Sequence, residues 1–342
     1  MLEKSTIYEV ARRSGVSTAT VSRVMRDGAG FSEATRRRVL DVAGELGWVP
    51  NGTARGLAER RVGIIGLLFP DLGKDEASEN ESPLFVDQVI RGAERSATLA
   101  GDAVLLAATE GDTGRSLALS VAGRVDGLVV TARSLSAPDL AAVARSVPVV
   151  VIDSGAARRK YDAVLADNAD GAYQATRHLV DDHGYPDVEF VAGPPRSPDS
   201  MQRFQGFRKA LAAYDRPVPE APAGHGNFTE AGGHRAVERL LAGRRRPPRA
   251  IVFGNDEMAI GGLNALRRHK LRVPADVAVT GFDDIASARH VRPTLTTVRQ
   301  PMRRLGEEAV RMLLERQRNP RQDRQGLVLP VSLQLRRSCG CK

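Results

Sequence analysis

The chain has 342 residues, a formal net charge of +9, and apolar residues at 42% of its positions. This length predicts two or three domains with sizeable cores, which excludes a wholly disordered chain. The longest apolar run, residues 62–69, is far shorter than the roughly 18 residues of a membrane span, and residues 1–13 lack the apolar core of a secretory signal. We therefore expect a cytoplasmic protein without a membrane partner, and the basic balance favours a polyanion as its partner.

The first helical region carries the strongest functional signal. Thr6 and Glu9 have the spacing of a capping box, and Gly15 can take the left-handed conformation that ends a helix. Ser17 is a good N-cap for a second helix over residues 18–25. The exposed start of that helix carries short hydrogen-bonding side chains and one arginine, which suit the major groove. Together with Thr6 and Ser17, the candidate DNA-contacting residues are Thr18, Ala19, Thr20, Ser22 and Arg23. The pattern predicts a helix-turn-helix, and a helical hairpin without a DNA role is the alternative.

The residues that follow make this pattern more specific. A third helix is predicted over residues 32–46, with apolar residues at helical spacing, and the segments G-W-V-P-N and A-R-G-L-A come after it. This order resembles the LacI/GalR family of bacterial transcriptional regulators. The resemblance implies a hinge helix that folds on the operator and pushes Leu57 into the minor groove. Ala54 would be the small neighbour of that leucine, and Asn51 belongs to the same DNA-contacting segment.

From residue 61 onward, predicted strands and helices alternate, which is typical of an α/β domain made of two doubly wound parallel sheets. Late segments, a helix over 302–318 and a strand over 327–335, return to the two halves. We therefore expect a helix-turn-helix domain at 1–50, a hinge at 51–60 and an effector-binding and dimerisation domain at 61–342. Its first half would comprise about 61–166 and 297–325, and its second half about 167–296 and 326–342. The cleft between the halves is the expected ligand site.

Several ordered segments of this domain support the same family. They are V-A-G-P-P-R-S, G-N-F-T-E-A-G-G, G-N-D-E-M-A-I-G and V-T-G-F-D-D-I. They resemble the periplasmic-binding-protein-like effector domain of that family. The resemblance implies polar ligand contacts from Arg203, Asn255 and Asp283 and an aromatic wall from Phe228.

Two further residues, Asp153 and Phe85, match cleft positions less closely. A sugar site needs side chains of these types, because hydroxyl groups require donors and acceptors and a pyranose has an apolar face. The alternatives are that Asn255 and Asp283 cap the segments after them, Phe228 is a core residue, and Arg203 makes a surface ion pair.

Two features depart from the family pattern or add to it. The acidic segment 71–82 is longer than expected beside the cleft, and we interpret it as a solvated loop. Cys339 and Cys341, the two cysteines of the chain, lie at its end. We expect a frayed tail and no metal site there, because structural zinc usually has four ligands and no histidine pair is close in sequence.

An enzyme, a ligand-binding sensor and an architectural DNA-binding protein are the competing interpretations. The six histidines form no H-E-x-x-H motif, and neither a G-x-S-x-G elbow nor a Walker P-loop is present. We therefore expect a repressor without catalytic activity or cofactor, most simply of carbohydrate-use genes. A homodimer should bind a pseudo-palindromic double-stranded DNA operator and respond to a small effector, a sugar or else a metabolite such as a purine. The tail shows no heptad pattern that would predict a tetramer.

Overall fold

The computed structural model describes residues 5–26, 30–48, 61–70, 84–109, 114–152 and 155–341. The chain divides into two compact units, Met1–Gly63 and Ile64–Lys342. The predictions for the hinge residues Asn51, Ala54 and Leu57, for the acidic loop 71–82 and for Asp153 lie outside the described residues. No helix among the described residues is both long enough and apolar enough to cross a membrane.

The amino-terminal unit contains three helices packed around one small core. They are α1 (Ile7–Ser14), α2 (Thr18–Arg26) and α3 (Glu33–Glu45). Gly15 ends α1 with a left-handed φ of 67°, as expected. Ser17 and Ser32 cap the next two helices, because each hydroxyl oxygen accepts a backbone N–H three residues later. The buried core residues are Val10, Ala11, Val21, Val24, Val39 and Ala43. This packing leaves the opposite face of α2 turned away from the core.

The capping box predicted at the start of α1 is wrong. Thr6 occupies the N-cap position with extended backbone, but its side chain makes no capping hydrogen bond. Its carbonyl oxygen instead accepts the backbone N–H groups of Glu9 and Val10 at 3.0 and 3.2 Å. These backbone contacts already provide partners for two N–H groups of the first turn, so the hydroxyl is not needed there.

The second unit contains two six-stranded sheets flanked by helices. Its strands are β1 (Ile64–Pro70), β2 (Ala103–Thr109), β3 (Gly127–Thr131), β4 (Val149–Ile152), β5 (Asp162–Ala166), β6 (Val188–Ala192), β7 (Gly224–His225), β8 (Ala250–Phe253), β9 (Ala278–Asp283), β10 (Thr296–Arg299), β11 (Gly326–Leu329) and β12 (Ser332–Gln334). Its helices are α4 (Leu84–Leu99), α5 (Gly114–Ala122), α6 (Ala137–Val143), α7 (Asn168–Arg177), α8 (Pro198–Ala213), α9 (Glu230–Ala242), α10 (Asp256–Arg268) and α11 (Met302–Arg318). A π-helical turn, His178–Asp182, continues α7.

The first sheet has the strand order β11-β5-β4-β3-β1-β2, and the second has the order β12-β10-β9-β8-β6-β7. The pairings are parallel except that of β10 with β12. The inner strands are Val- and Ile-rich and buried on both faces, because helices cover both sides of each sheet. In the first half α4 and α11 cover one face, and α5 and α6 cover the other. The predicted α/β class with two doubly wound sheets is confirmed.

The expected limits of the two halves need correction. The strand predicted over 327–335 is two strands, β11 in the first sheet and β12 in the second. Pro330 lies between them and cannot donate a ladder hydrogen bond, so the chain leaves the first sheet there. Residues 326–329 therefore belong to the first half, and residues 296–299, which form β10, belong to the second sheet.

Sequence analysis expected a frayed tail, but the last described residues, 337–341, are packed against the second half. Ser338 and Cys339 are fully buried, and Cys339 lies in the core of the second half. The Ser338 hydroxyl donates to the carbonyl of Val279 at 2.6 Å and accepts the N–H of Thr296 at 2.8 Å. These bonds attach the final turn to β9 and β10. Sequence analysis missed this, because every one of these partners is more than 40 residues away.

Candidate functional site

The face of α2 that points away from the core has the character expected of a reading surface. Ala19 and Arg23 are exposed, whereas Thr18 and Ser22 are half-buried. Ser17 and Thr20 share a hydrogen bond of 2.9 Å between their hydroxyl groups, so both are held in place at the start of the helix. Small side chains around one exposed arginine let a helix approach base edges closely.

Three exposed residues of α1 and α3 were not singled out from the sequence as DNA contacts. Tyr8 is 75% exposed, and its phenol can donate to a phosphate oxygen. Arg36 and Arg37 are exposed on α3. The signal in the sequence was the position of Tyr8, which the helical period places away from the face of the buried residues Val10 and Ala11.

A polar cluster in the second unit lies at the carboxyl ends of β8 and β9. Arg203, on α8, is only 5% exposed. Its Nε donates to Asn168 Oδ1 at 2.7 Å and its Nη1 donates to the carbonyl of Gly254. The guanidinium also lies over the Phe282 ring, with Cζ 3.8 Å from the ring centroid. These contacts fix the position and orientation of the positively charged guanidinium group.

Asp283 faces this arginine from the end of β9. Its Oδ1 lies 3.6 Å from Arg203 Nη1 and accepts a hydrogen bond from Gln300 at 2.6 Å. Burial raises the pKa of Asp283 to about 6, although Arg203 and Gln300 favour the charged carboxylate. Its φ of 119° is strained for any residue with a side chain. A buried carboxyl group with a shifted pKa beside a buried guanidinium is an arrangement typical of functional sites.

Phe228 and Asn255 adjoin this pair. The Phe228 ring is half-buried, its centroid lies 5.9 Å from Arg203 Cζ, and its backbone has a φ of 64° that bulky residues rarely adopt. Asn255 caps α10 by accepting the N–H of Met258, and its amide donates to the carbonyl of Phe228 at 3.0 Å. Sequence analysis offered two roles for Asn255, a ligand contact and a helix cap, and the structure shows the cap. Asn255 therefore holds the loop that presents the Phe228 ring.

The remaining predicted ligand residue in the described chain is Phe85, on α4. Its half-buried ring packs against the core of the first half. The neighbouring Leu84 packs instead against the core of the second half. The start of α4 therefore bridges the two halves, even though Phe85 points to its own core.

Sequence analysis missed the side chains that orient this cluster. Asn168 is 2% exposed and joins Arg203 to Asp199, because its amide donates to Asp199 Oδ1 at 2.9 Å. Gln300 is 4% exposed and holds Asp283. Gln300 directly follows β10, and Asn168 begins α7 two residues after the end of β5; this position near a strand end was the available signal.

The two units together define a class of protein, a DNA-binding regulator with a two-sheet sensing domain. Residues 6–51 match the family model of bacterial regulatory proteins of the lacI family, and residues 176–339 match that of the periplasmic binding protein-like domain. The HTH-type transcriptional repressor PurR of Proteus mirabilis (strain HI4320) is 36% identical over 98% of this chain and 96% of its own length. PurR of Pectobacterium carotovorum subsp. carotovorum (strain PC1) is 35% identical over the same shares.

Solved structures agree with this assignment. The transcriptional regulator CelR in complex with cellobiose is 31% identical, with a TM-score of 0.74 over 98% of this chain and all of that one. The lac repressor dimer bound to operator and the anti-inducer ONPF is 28% identical, with a TM-score of 0.85 over 98% and 99%. The chain belongs to the LacI family and is a DNA-binding transcriptional repressor. The relatives it matches are regulators and not enzymes.

Proposed function

We propose that the cluster of Arg203, Asp283 and Phe228 binds a small, ring-shaped polar effector that controls operator binding. The observation that carries this proposal is the buried Arg203–Asp283 pair, 3.6 Å apart, beside a half-buried aromatic ring on strained backbone. A donor fork and an acceptor on one side and a ring face on the other suit a molecule with polar edges and an apolar face.

A sugar is the effector class that we propose first. A pyranose offers hydroxyl groups to the arginine and the carboxylate, and its apolar C–H face would pack on Phe228. The CelR structure, which is similar over nearly the whole chain, holds cellobiose. A purine is the second candidate, because the sequence relatives carry the name PurR and a flat heterocycle would stack on the same ring.

A thermal-shift screen of the full chain distinguishes these two classes. An effector that binds only the folded protein raises the melting temperature by mass action. The panel should contain cellobiose, glucose, ribose, hypoxanthine and guanine at matched concentrations. A shift with a sugar alone supports the first proposal, and a shift with a purine alone overturns it in favour of the second. A shift with none of them contradicts both effector classes.

For the DNA-binding half we propose a homodimer that reads a pseudo-palindrome through Thr18, Ala19 and Arg23, since one helix-turn-helix unit covers only a half-site. From the sequence resemblance we also propose a hinge in which Leu57 inserts between two base pairs from the minor groove.

We further propose induction, in which binding of the effector causes the protein to release the operator. Sedimentation of the protein on an operator selected from a randomised DNA pool tests the stoichiometry. One chain per operator would contradict the dimer.

A further inference from the structure

Four side chains with soft or imidazole ligand atoms meet where the chain ends. His178, His183, Cys339 and Cys341 each place one ligand atom so that all four lie within 4.8 Å of one another. The two Nε2 atoms are 3.1 Å apart, and Cys341 Sγ lies 3.4 and 3.6 Å from them. In a tetrahedral zinc site with bonds of about 2.0–2.1 Å to nitrogen and about 2.3 Å to sulfur, the corresponding separations are about 3.3 and about 3.5 Å.

The backbone is shaped to bring the two histidines together. In a regular α-helix, residues five apart point about 140° away from each other. Here α7 ends in the π-helical turn His178–Asp182, in which the N–H of His183 donates to the carbonyl of His178 at 3.3 Å. This widened turn lets the two rings face the same point. Such π-turns are rare, and they are frequently found at functional sites.

The cysteines reach the same point through a turn that only glycine permits. Gly340 has a φ of 112°, and a Cβ added to it would lie 2.7 Å from the Tyr185 hydroxyl oxygen. The Tyr185 hydroxyl donates to the carbonyl of Cys339 at 2.9 Å, which fixes the turn from the other side. Both thiols of the C-G-C segment are therefore held towards the histidines.

A second layer of contacts orients the four groups. Asp182 Oδ2 lies 2.7 Å from His178 Nδ1, and a proton shared between these two atoms would leave the Nε2 lone pair free to bind a cation. Tyr185 stacks on the His183 ring, with centroids 5.1 Å apart and planes 12° apart. The Thr296 hydroxyl lies 3.1 Å from Cys339 Sγ and 3.0 Å from the carbonyl oxygen of Arg336, and these contacts help to fix the position of the sulfur. A carboxylate behind a ligating histidine is a recurrent feature of metal sites.

We propose that His178, His183, Cys339 and Cys341 bind one Zn²⁺ ion, which fastens the end of the chain to the second half of the effector domain. Four protein ligands leave no open position, as in a structural site, and a tetrahedral set of two sulfurs and two nitrogens is typical of structural zinc sites. The proposed site is separate from the effector cluster and does not depend on its role. It differs from the expectation that no metal binds here, which rested on the distance in sequence between the histidines and the cysteines.

The experiment uses the untagged full chain, purified under reducing conditions without added metal. Elemental analysis should find about one zinc per chain. After the metal is stripped with a chelator, Co²⁺ should give intense visible bands of tetrahedral geometry with thiolate charge transfer, and one equivalent of Zn²⁺ should abolish them. This measurement on the wild type decides the proposal even if a variant fails to fold.

Variants then assign the ligands. Cys341→Ser and His183→Gln should each weaken zinc binding by at least about 100-fold, whereas His269→Gln, at an exposed histidine paired with Glu238, should not change it. Asp182→Asn should weaken binding by about 10–100-fold, and Asp181→Asn should have no effect. The proposal is overturned if the reduced wild type takes up less than about 0.1 equivalent of either ion. Octahedral cobalt bands, copper or iron in place of zinc, or ligand variants that bind like the wild type would also overturn it.

Discussion

Arg203 Nη1 lies 3.6 Å from Asp283 Oδ1, and each of these two residues is about 5% exposed. They come from α8 and from the end of β9, so their meeting depends on the packing of a helix against the second sheet. Both are also held by uncharged neighbours, Asn168 and Gln300, which limits the side-chain entropy still to be lost when a ligand binds.

Asp283→Asn should weaken effector binding while the protein stays folded. Removing one charged partner of a buried polar contact typically costs about 1–3 kcal/mol, which corresponds to a several-fold to more than hundredfold loss of affinity. Calorimetry with the ligand found in the thermal-shift screen measures this. Asp276→Asn is the matched control, because Asp276 forms an ion pair with the exposed Arg272 in the same half. Equal affinity in the wild type and Asp283→Asn would place the effector elsewhere.

The same aspartate predicts a pH dependence of stability. Burial raises the pKa of Asp283 from 3.8 to about 6 in the folded chain, so the folded state holds this proton more tightly than the unfolded state. Protonated Asp283 therefore stabilises the folded state by about 3 kcal/mol relative to ionised Asp283. This stabilisation is complete below pH 4 and is lost as the pH rises through 6. The melting temperature of the wild type minus that of Asp283→Asn should therefore decrease as the pH rises from 4.5 to 7. Thermal melts of both proteins in buffers spaced by about 0.5 pH units measure this difference.

Asp276→Asn provides the contrast for this measurement. Hydrogen bonds with Arg272 lower the pKa of Asp276 to about 2. The contribution of Asp276 to the free energy of unfolding is therefore constant above pH 5. The difference between this variant and the wild type should stay flat over the same range. A flat profile for Asp283→Asn as well would show that Asp283 remains ionised throughout.

The Phe228 ring can be moved without removing it. A Cβ at position 193 would lie 2.2 Å from Phe228 Cε1, so Gly193→Ala should displace the ring and lower effector affinity at least several-fold. Gly243→Ala is the control, because no atom lies within 4 Å of the added Cβ and the φ there is −88°. Calorimetry should show a loss only for Gly193→Ala. Unchanged affinity would mean that the ring does not contact the ligand.

Arg23→Ala tests direct reading of the operator. If this exposed side chain contacts base edges, its loss should cost about 1–3 kcal/mol at the selected operator and much less on scrambled DNA. Fluorescence anisotropy at one fixed salt concentration measures both. An equal loss on the two DNAs would show that Arg23 contacts only phosphate.

Local sequence signals predicted most of the fold. The helix at 302–318 was predicted at its observed limits, because a long helical periodicity is a strong local pattern. Ser17 likewise caps its helix as predicted. The misplaced strand limits around Pro330 and the absent side-chain cap at Thr6 show where local rules depend on partners that only the folded chain supplies.

The candidate sites could be predicted only in part. Arg203, Asn255, Phe228 and Asp283 followed from the family resemblance, and the structure brings them together. Asn168 and Gln300 were missed because a side chain that orients another leaves no spacing pattern.

The cluster at the chain terminus was missed for a related reason. The sulfur of Cys341 meets the imidazole of His178 across 163 positions. The only local signs were the C-G-C segment and the two histidines five residues apart.

The most direct test of the proposed regulatory mechanism is the affinity of the protein for its operator with and without the identified effector. In the wild type the effector should weaken operator binding, and the operator should weaken effector binding by the same factor, because coupling between two sites is reciprocal. In Asp283→Asn, operator affinity without effector should match that of the wild type, and the response to effector should be lost. An operator affinity that responds equally in both proteins would contradict the proposal that this cluster controls DNA binding.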